Sequence, residues 1–459
     1  MGIYRKINRF VRKFVHKDHS FVANLISAED ERINKTVELI ASENFPSEAV
    51  RAALASSFVC KYTEGYPTNR YSGNEGRYYG GCCNADAIEE YCCKKWREAF
   101  KTDYHVNVQP LSGSSANAAA YASVLNPGDT ILSMSMDSGA HLTHSSPVSF
   151  VSRFYNVVTY GLDKDGFICY NDIANKIKQY KPKLVLAGAS AYSREIDFRR
   201  IKRIIDDAVK NGDVEERPYF MVDMAHIAGL IVGDEHQTPF GLADIITTTT
   251  HKTLRGNRGG LIFCRKELAH KVDSAVFPFY NGGTHQNIIA AKAICAEEAC
   301  TKEYYDYIHQ VVLNAKAMCD EFIYAGYDVV SGGTDNHLFM LDFTKTHPHV
   351  TGKMVQDALE KIDIAVNKNM VPGDKRGPKE ASGIRIGTPA MTTRGWNEHD
   401  FAVCAHRIMT VIDALEAKAK LKEVDNRVEY LLLVIPTEAF NACLTSKILN
   451  KMTLQEMII

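Results

Sequence analysis

The sequence contains no apolar run long enough to cross a lipid bilayer, no internal repeat and no low-complexity tract. Its charges nearly cancel, with a formal net charge of -1 over 459 residues. Such a chain has no general attraction to nucleic acid or to a membrane, so a charged ligand must be bound by a local site. The 12 cysteines include no Cys-x-x-Cys pair and no histidine spacing typical of zinc, so we expect reduced thiols and no metal site.

The composition is otherwise that of an ordinary globular protein. Hydrophobic residues make up 45% and charged residues 24% of the chain, and the length allows two or three domains. Because reduced thiols favour a reducing compartment, we expect a cytoplasmic protein.

A basic amphipathic segment lies near the beginning of the sequence. Apolar residues between Ile3 and Phe14 recur at helical spacing among arginines and lysines. The pattern predicts a helical arm, assigned to residues 1–45, that packs on the body of the protein or on a partner subunit. A mitochondrial transit peptide is the less favoured alternative, because the segment lacks the serine-rich composition of such peptides.

Apolar strand-like segments alternate with amphipathic helical ones in the middle of the chain. The predicted strands are residues 131–134, 184–187, 219–222, 245–250 and 261–264, and a predicted helix occupies residues 198–209. This alternation predicts an α/β fold in which a mainly parallel sheet has helices on both faces.

The pattern changes after about residue 282. Predicted helices at residues 287–300 and 304–326 are followed by strand-like runs at residues 338–343 and 364–366. We therefore predict a large domain at residues 46–285 and a smaller α/β domain at residues 286–459.

A carboxylate and a lysine follow two of the predicted strands. Asp223 comes directly after residues 219–222, and Lys252 comes after a run of threonines and before a glycine-rich turn. Ligands of open α/β sheets gather at the carboxyl ends of strands. A lysine beside a turn is most often solvated, but pyridoxal phosphate enzymes use this pair. The amine condenses with the cofactor aldehyde and the acid binds the pyridine nitrogen.

Two other patterns are typical of anion sites. Ser112, Gly113 and Ser114 precede a helix of small residues, and such a helix N-terminus either binds phosphate or is simply capped by its serines. Arg385 lies between two isoleucines, where a guanidinium needs either a ligand carboxylate or an internal salt bridge.

Two further side chains are candidates for proton transfer or cofactor contact. Glu64 lies between Tyr62 and Tyr66, a position that suits either a catalytic acid or an ordinary loop glutamate. His141 follows the strand predicted at residues 131–134, where a packing role is the more common one.

Taken together, these motifs resemble those of serine hydroxymethyltransferases, pyridoxal phosphate enzymes of fold type I with an aspartate aminotransferase-like architecture. The resemblance runs from about residue 39 to about residue 394. Its most specific motifs are L-I-A-S-E-N-F at residues 39–45, K-Y-T-E-G-Y-P at 61–67, D-M-A-H-I-A-G-L at 223–230, T-T-T-T-H-K-T-L-R-G-N-R-G-G at 247–260 and S-G-I-R-I-G-T-P at 382–389.

The resemblance implies a role for each residue of a large set. For the cofactor it implies Lys252, Asp223, His141, Ser112, Gly113, Ser114, Ser190, His226, Thr249 and His251, with Tyr62 and Gly283 reaching its phosphate from the neighbouring subunit. For the substrates it implies Arg385 at the amino-acid carboxylate, together with Ser42, Glu64, Tyr79 and Asn369. The residues with implied catalytic roles are Lys252, Glu64, Asp223, His141 and Tyr79.

The chain departs from the family pattern at three places. Ser138-Gly139-Ala140 stands where the family has His-Gly-Gly, and Thr284 replaces a proline. An insertion near Gly73 creates two Arg-Tyr pairs, and we assign the family role to Tyr79 because glycines follow it.

The resemblance implies transfer of the hydroxymethyl group of L-serine to tetrahydrofolate, which gives glycine and 5,10-methylenetetrahydrofolate. It also implies a homodimer or homotetramer with shared active sites. Two alternatives remain: a folate-independent β-hydroxy amino acid aldolase of the threonine type, and a catalytically silent scaffold or RNA-binding relative. The intact Lys252, Asp223 and Arg385 argue against a silent relative.

Overall fold

The computed structural model describes residues 19–67 and 76–422. The predicted basic helix between Ile3 and Phe14 and the first Arg-Tyr pair, Arg70-Tyr71, lie outside the described residues.

A seven-stranded sheet forms the centre of the larger part of the molecule, with the order β2-β8-β7-β6-β5-β3-β4. The strands in chain order are β1 Val37–Glu38, β2 His105–Asn107, β3 Thr130–Met134, β4 Asn156–Tyr160, β5 Leu184–Ala187, β6 Tyr219–Asp223, β7 Ile245–Thr249, β8 Gly260–Cys264, β9 Asp328–Val329, β10 Leu338–Asp342, β11 Ile364–Ala365, β12 Asn367–Asn369 and β13 Gly383–Gly387. Neighbouring strands from β4 to β7 are parallel, whereas β8 is antiparallel to both β7 and β2.

The predicted α/β fold is confirmed, and the strands predicted in the middle of the chain agree with the observed ones to within one residue. The antiparallel direction of β8 has a local cause. The chain returns from β7 through residues 250–259, whereas a parallel return needs a crossover of a dozen or more residues.

Helices cover both faces of the large sheet. Those of the described ranges are Ser20–Lys35, Glu48–Leu54, Cys83–Ala99, Gly113–Val124, Leu142–Ser145, Val151–Phe154, Tyr170–Tyr180, Phe198–Lys210, Ala228–Val232, Ala269–Ser274, Gln286–Ala299, Lys302–Tyr324, Phe343–Thr346, Gly352–Glu360, Gly377–Glu380, Pro389–Thr393 and Glu398–Lys422. In β5, Val185 and Ala187 join one hydrophobic core while Leu184 and Leu186 join another. Because side chains alternate along a strand, the two cores lie on opposite faces. None of the described helices is both long and apolar enough to span a membrane.

The C-terminal part of the described chain has a four-stranded antiparallel sheet with the order β12-β13-β10-β9. Strand β1 pairs with β11, and Leu39 is buried in the same core as Phe339 and Ile384, so this N-terminal segment packs on the smaller part of its own chain. The helix Gln286–Ala299, with which the predicted smaller domain begins, buries Ile289 in the core of the large sheet.

Candidate active site

Lys252 lies in the loop that follows β7, at the carboxyl end of the parallel strands. Its side chain is buried, with 8% of the residue exposed. Burial lowers the pKa of Lys252 to about 8, and the charge of Arg385 adds to this effect although Asp223 opposes it. More of this amine is therefore neutral near pH 7 than in an exposed lysine, and the neutral form is the one that attacks a carbonyl.

Asp223 ends β6 and is held by three donors. Asn117 Nδ2 donates to its Oδ2 at 2.8 Å, His144 Nε2 lies 2.9 Å from the same oxygen, and the Ala225 amide donates to Oδ1 at 3.0 Å. Burial acts to raise the pKa of Asp223, but the hydrogen bond from His144 and nearby positive charge hold it well below its usual range. The result is a buried carboxylate anion, which suits a protonated pyridine nitrogen.

His144 is a candidate site residue that the sequence interpretation missed. Its Nδ1 accepts a hydrogen bond from the His141 amide at 3.3 Å, so the ring hydrogen is on Nε2, which faces Asp223. The His-x-x-His spacing at the start of the short helix Leu142–Ser145 could have indicated it. This spacing places the ring centroids of His141 and His144 5.7 Å apart.

His141 N-caps the same short helix, and its Nδ1 lies 2.8 Å from Thr143 Oγ1. Burial lowers the pKa of His141 to about 4, so its imidazole is neutral near pH 7. The ligand-type atoms of His141, His144 and Asp223 lie within 4.8 Å of one another, a spacing that metal ligands also show. Two hydrogen bonds join this group, one from the His141 amide to His144 Nδ1 and one between His144 Nε2 and Asp223 Oδ2.

The predicted phosphate cradle lies beside the strand that leads to the lysine. Ser112 caps the helix Gly113–Val124 through a reciprocal capping box with Ser115. A Cβ on Gly113 would come within 2.7 Å of Thr249 Cγ2, so glycine permits this close approach. The first-turn N–H groups of Gly113 and Ser114 have no partner within the helix, as an anion site requires.

Arg385 lies in β13 with 9% of the residue exposed. Its Nε donates to Asn367 Oδ1 at 3.1 Å and its Nη1 donates to the Ser190 carbonyl at 2.7 Å. Burial lowers the pKa of Arg385 to about 10. Within residues 19–67 and 76–422 its guanidinium forms no ion pair, and its Nη2 makes no hydrogen bond. A buried cation in this state is suited to a ligand anion.

Asn367 was also missed, since the sequence interpretation selected Asn369 from the same Asn-x-Asn motif. In β12 Asn367 is opposite Arg385 and Asn369 is opposite Gly383. Alternate strand residues share a face, so a period of two could have indicated both asparagines. Asn369 Nδ2 donates to the Met370 carbonyl at 2.6 Å.

Three other predicted cofactor residues lie close to this pocket. The buried ring of His226 is stacked on that of His337, with 5.5 Å between ring centroids. Burial and the charges of Lys252 and Arg385 lower the pKa of His226 well below its usual value. Burial lowers the pKa of His251 to about 3, and Thr249 Oγ1 donates to the Ala225 carbonyl at 3.5 Å. Both imidazoles are therefore neutral near pH 7.

The turn that contains Ser42 is held between the lysine loop and β13. Asn44 Nδ2 donates to the Lys252 carbonyl at 2.9 Å, and the Gly387 amide donates to the Leu39 carbonyl at 2.8 Å. A side chain on Gly387 would overlap Ala41, so this packing requires glycine. The motif at residues 39–45 thus lies at the edge of the lysine pocket.

The remaining predicted residues form a separate group, here called the tyrosine–glutamate cluster: Tyr62, Glu64, Tyr79 and Gly283. Tyr62 donates to Glu64 Oε1 at 3.2 Å, and its ring centroid lies 5.0 Å from that of Tyr79. A Cβ on Gly283 would lie 2.9 Å from the Tyr62 ring. Tyr62 is 55% exposed and Tyr79 is 41% exposed. In the described part of the chain, no hydrogen bond joins Glu64 to Asp223 or Lys252.

The structure therefore brings the predicted site residues together in two groups. Among the described residues, the lysine pocket contains an amine of lowered pKa, a buried carboxylate anion, neutral imidazoles and a guanidinium that forms no ion pair, while the tyrosines of the tyrosine–glutamate cluster are exposed. Residues 15–408 match the family model described as serine hydroxymethyltransferase. Since this match covers most of the chain, the protein belongs to the serine hydroxymethyltransferase family of fold type I, pyridoxal phosphate-dependent enzymes.

Proposed function

We propose that the protein transfers the hydroxymethyl group of L-serine to tetrahydrofolate, producing glycine and 5,10-methylenetetrahydrofolate. The observation that carries this proposal is the guanidinium of Arg385, which is buried in the pocket of Lys252 and Asp223 and forms no ion pair with any described residue. An amino-acid carboxylate supplies the missing anion, and the planar guanidinium binds it through two parallel hydrogen bonds.

The residues of the lysine pocket fit pyridoxal phosphate. When bound, that cofactor withdraws electrons from the α-carbon of an attached amino acid. Lys252 would provide the amine that holds it, Asp223 would accept a hydrogen bond from the protonated pyridine nitrogen, and His141 would offer a neutral ring beside it. Gly113 and Ser114 offer N–H groups to its phosphate. His144 and Asn117 would act indirectly, because their hydrogen bonds hold the carboxylate of Asp223 in position.

The tyrosine–glutamate cluster, whose tyrosines are exposed, supports a second proposal, a homo-oligomer in which each chain completes the site of another. Within the described residues Glu64 forms no hydrogen bond or ion pair with Lys252 of its own chain, while Tyr62, Tyr78 and Tyr79 form an exposed aromatic surface. Aromatic side chains of this kind are enriched at subunit interfaces. A partner copy would bring its own Glu64 to the pocket that contains Lys252.

Arg385→Lys is expected to retain pyridoxal phosphate but to bind serine and glycine at least about tenfold more weakly, because an ammonium group cannot reproduce forked pairing with a carboxylate. The measurement is titration of the cofactor's visible spectrum with each amino acid. Arg217→Lys is the control, since Arg217 pairs with Asp244 away from the pocket. Unchanged titration curves for Arg385→Lys would assign that arginine a purely structural role.

The lowered pKa of Lys252 predicts how cofactor capture depends on pH. The amine is neutral above its pKa, so the rate at which the apo-protein captures pyridoxal phosphate should rise up to about pH 8 and then level off. Stopped-flow absorbance measures this rate, with a small lysine analogue as a reference for the cofactor's own titration. A rate that kept rising towards about pH 10, the range of an ordinary lysine, would contradict the assignment.

A further inference from the structure

A second buried lysine lies beneath the candidate site. Lys292 belongs to the helix Gln286–Ala299 and is only 1% exposed. Its Nζ donates to the carbonyl oxygens of Val108 at 2.6 Å, Pro110 at 2.9 Å and Gly260 at 2.9 Å. An ammonium group has three hydrogens, so all of its donors are used.

The three carbonyls belong to the two chain segments that frame the phosphate cradle. Pro110 comes two residues before Ser112, which caps the cradle helix, and Gly260 begins β8 after the lysine loop. The Gly260 amide donates to the Pro110 carbonyl at 3.1 Å. A side chain on Gly260 would overlap the Ser112 carbonyl, so the two segments are in direct contact. Lys292 therefore fixes both segments from one side.

The opposite side of the first segment is also held by polar contacts. Gln109, which lies between the two bonded carbonyls, donates from Nε2 to Glu89 Oε1 and to the Gly65 carbonyl, each at 3.0 Å. Arg77 donates to Glu89 Oε2 and to the same Gly65 carbonyl, both at 2.6 Å. The backbone that leads to the cradle is thus held by Lys292 on one side and, through Gln109, by the buried Glu89 on the other.

Packing alone does not explain this lysine. A buried ammonium group loses its hydration, whereas an apolar side chain would fill similar space without that cost. The lysine also fixes geometry, because three hydrogen bonds from one nitrogen set the relative positions of three backbone oxygens.

We propose that Lys292 is a positioning residue for the cofactor-phosphate cradle: by fixing the Val108, Pro110 and Gly260 carbonyls it sets where Gly113 and Ser114 present their N–H groups. This inference rests on the proposed cofactor site. It concerns the phosphate group of the cofactor. The aldehyde is assigned to Lys252 and the ring nitrogen to Asp223 under the proposed function.

The test compares two ligands on apo-protein prepared from the full chain. Pyridoxal phosphate has the phosphate and pyridoxal lacks it, and absorbance titration gives a dissociation constant for each. Lys292→Met keeps most of the length of the side chain without its donors. It should weaken pyridoxal phosphate binding about tenfold or more while changing pyridoxal binding less than about twofold. Ile289→Ala, one turn earlier in the same buried helix, is the matched control for loss of packing.

Gly259→Ala provides an independent variant should Lys292→Met fail to fold. The φ angle of Gly259 is not in the left-handed region, so alanine is compatible with its backbone. A Cβ there would overlap Lys292 Cε, so the substitution displaces the lysine without deleting it. We expect the same phosphate-specific loss of affinity.

The outcomes separate the inference from the proposed function. Equal losses for both ligands, no loss in either variant, or the same phosphate-specific loss in Ile289→Ala would overturn the role of Lys292. A wild-type protein that binds neither ligand would instead overturn the proposed cofactor site. The inference is supported if binding of pyridoxal phosphate, but not of pyridoxal, weakens in Lys292→Met and Gly259→Ala and not in Ile289→Ala.

Discussion

Lys252→Ala protein is expected to lack the visible absorbance of a lysine-bound cofactor and to lose serine cleavage. The physical reason is that Lys252 combines burial in the pocket with a pKa lowered to about 8. Lys292 is also buried with a lowered pKa, but its three hydrogens are engaged by backbone carbonyls. The measurement is an absorbance spectrum of protein incubated with pyridoxal phosphate and then dialysed against buffer without it.

Lys266→Ala is the control for that experiment, because Lys266 is an exposed lysine paired with Asp103. It should keep both the colour and the activity. If Lys252→Ala protein stayed yellow and borohydride reduction attached the cofactor to another lysine, the assignment of Lys252 would be wrong.

Glu64→Gln is expected to bind pyridoxal phosphate and glycine nearly normally but to lose about 10²–10⁴-fold in tetrahydrofolate-dependent serine cleavage, the span typical of general acid–base catalysis. The substitution keeps the shape of the side chain while removing its titratable proton. The turn that carries it should stay in place, since the Thr284 amide donates to the Thr63 carbonyl at 3.0 Å and Gln109 donates to the Gly65 carbonyl.

Cleavage of a bulkier β-hydroxy amino acid without folate should be affected much less by Glu64→Gln. Parallel assays of the two reactions on one preparation measure the difference, and Glu303→Gln, the same change at an exposed helix position, is the control. Equal losses in both reactions would give Glu64 a role in the fold or in subunit contact. A normal folate-dependent rate would remove it from the chemistry.

Mixing the two inactive variants tests whether the sites are shared. In a dimer of one Lys252→Ala chain and one Glu64→Gln chain, shared sites leave one site with both residues intact. Random exchange should then restore about a quarter of the wild-type activity. If Glu64 acted on the pocket of its own chain, every site would have one defect and no activity would return.

Strand pattern was sufficient to place the two main residues of the pocket. The apolar runs at residues 219–222 and 245–250 end where Asp223 and the lysine loop begin, and parallel strands present these ends on one edge of the sheet. Residues that act through another side chain were harder to predict. His144 and Asn117 come from different helices and meet only at the carboxylate of Asp223.

The interpretation of Glu64 shows another limit of sequence. Its position between aromatic residues suits either a catalytic acid or an ordinary loop glutamate, and only three-dimensional packing shows that it accepts a hydrogen bond from the exposed Tyr62. Lys292 shows the same limit in the interior. In the sequence it is a lysine in an alanine-rich helix, and nothing in that pattern indicates that it binds three backbone carbonyls from distant segments.

The most direct test of the proposed function is the rate of serine-to-glycine conversion by the pyridoxal phosphate-loaded protein, measured with and without tetrahydrofolate. A folate-dependent hydroxymethyl transferase should be accelerated about 10²-fold or more by tetrahydrofolate, since the acceptor and the Glu64 carboxylate then act together. A rate that is indifferent to tetrahydrofolate would contradict the proposal and identify a folate-independent aldolase instead.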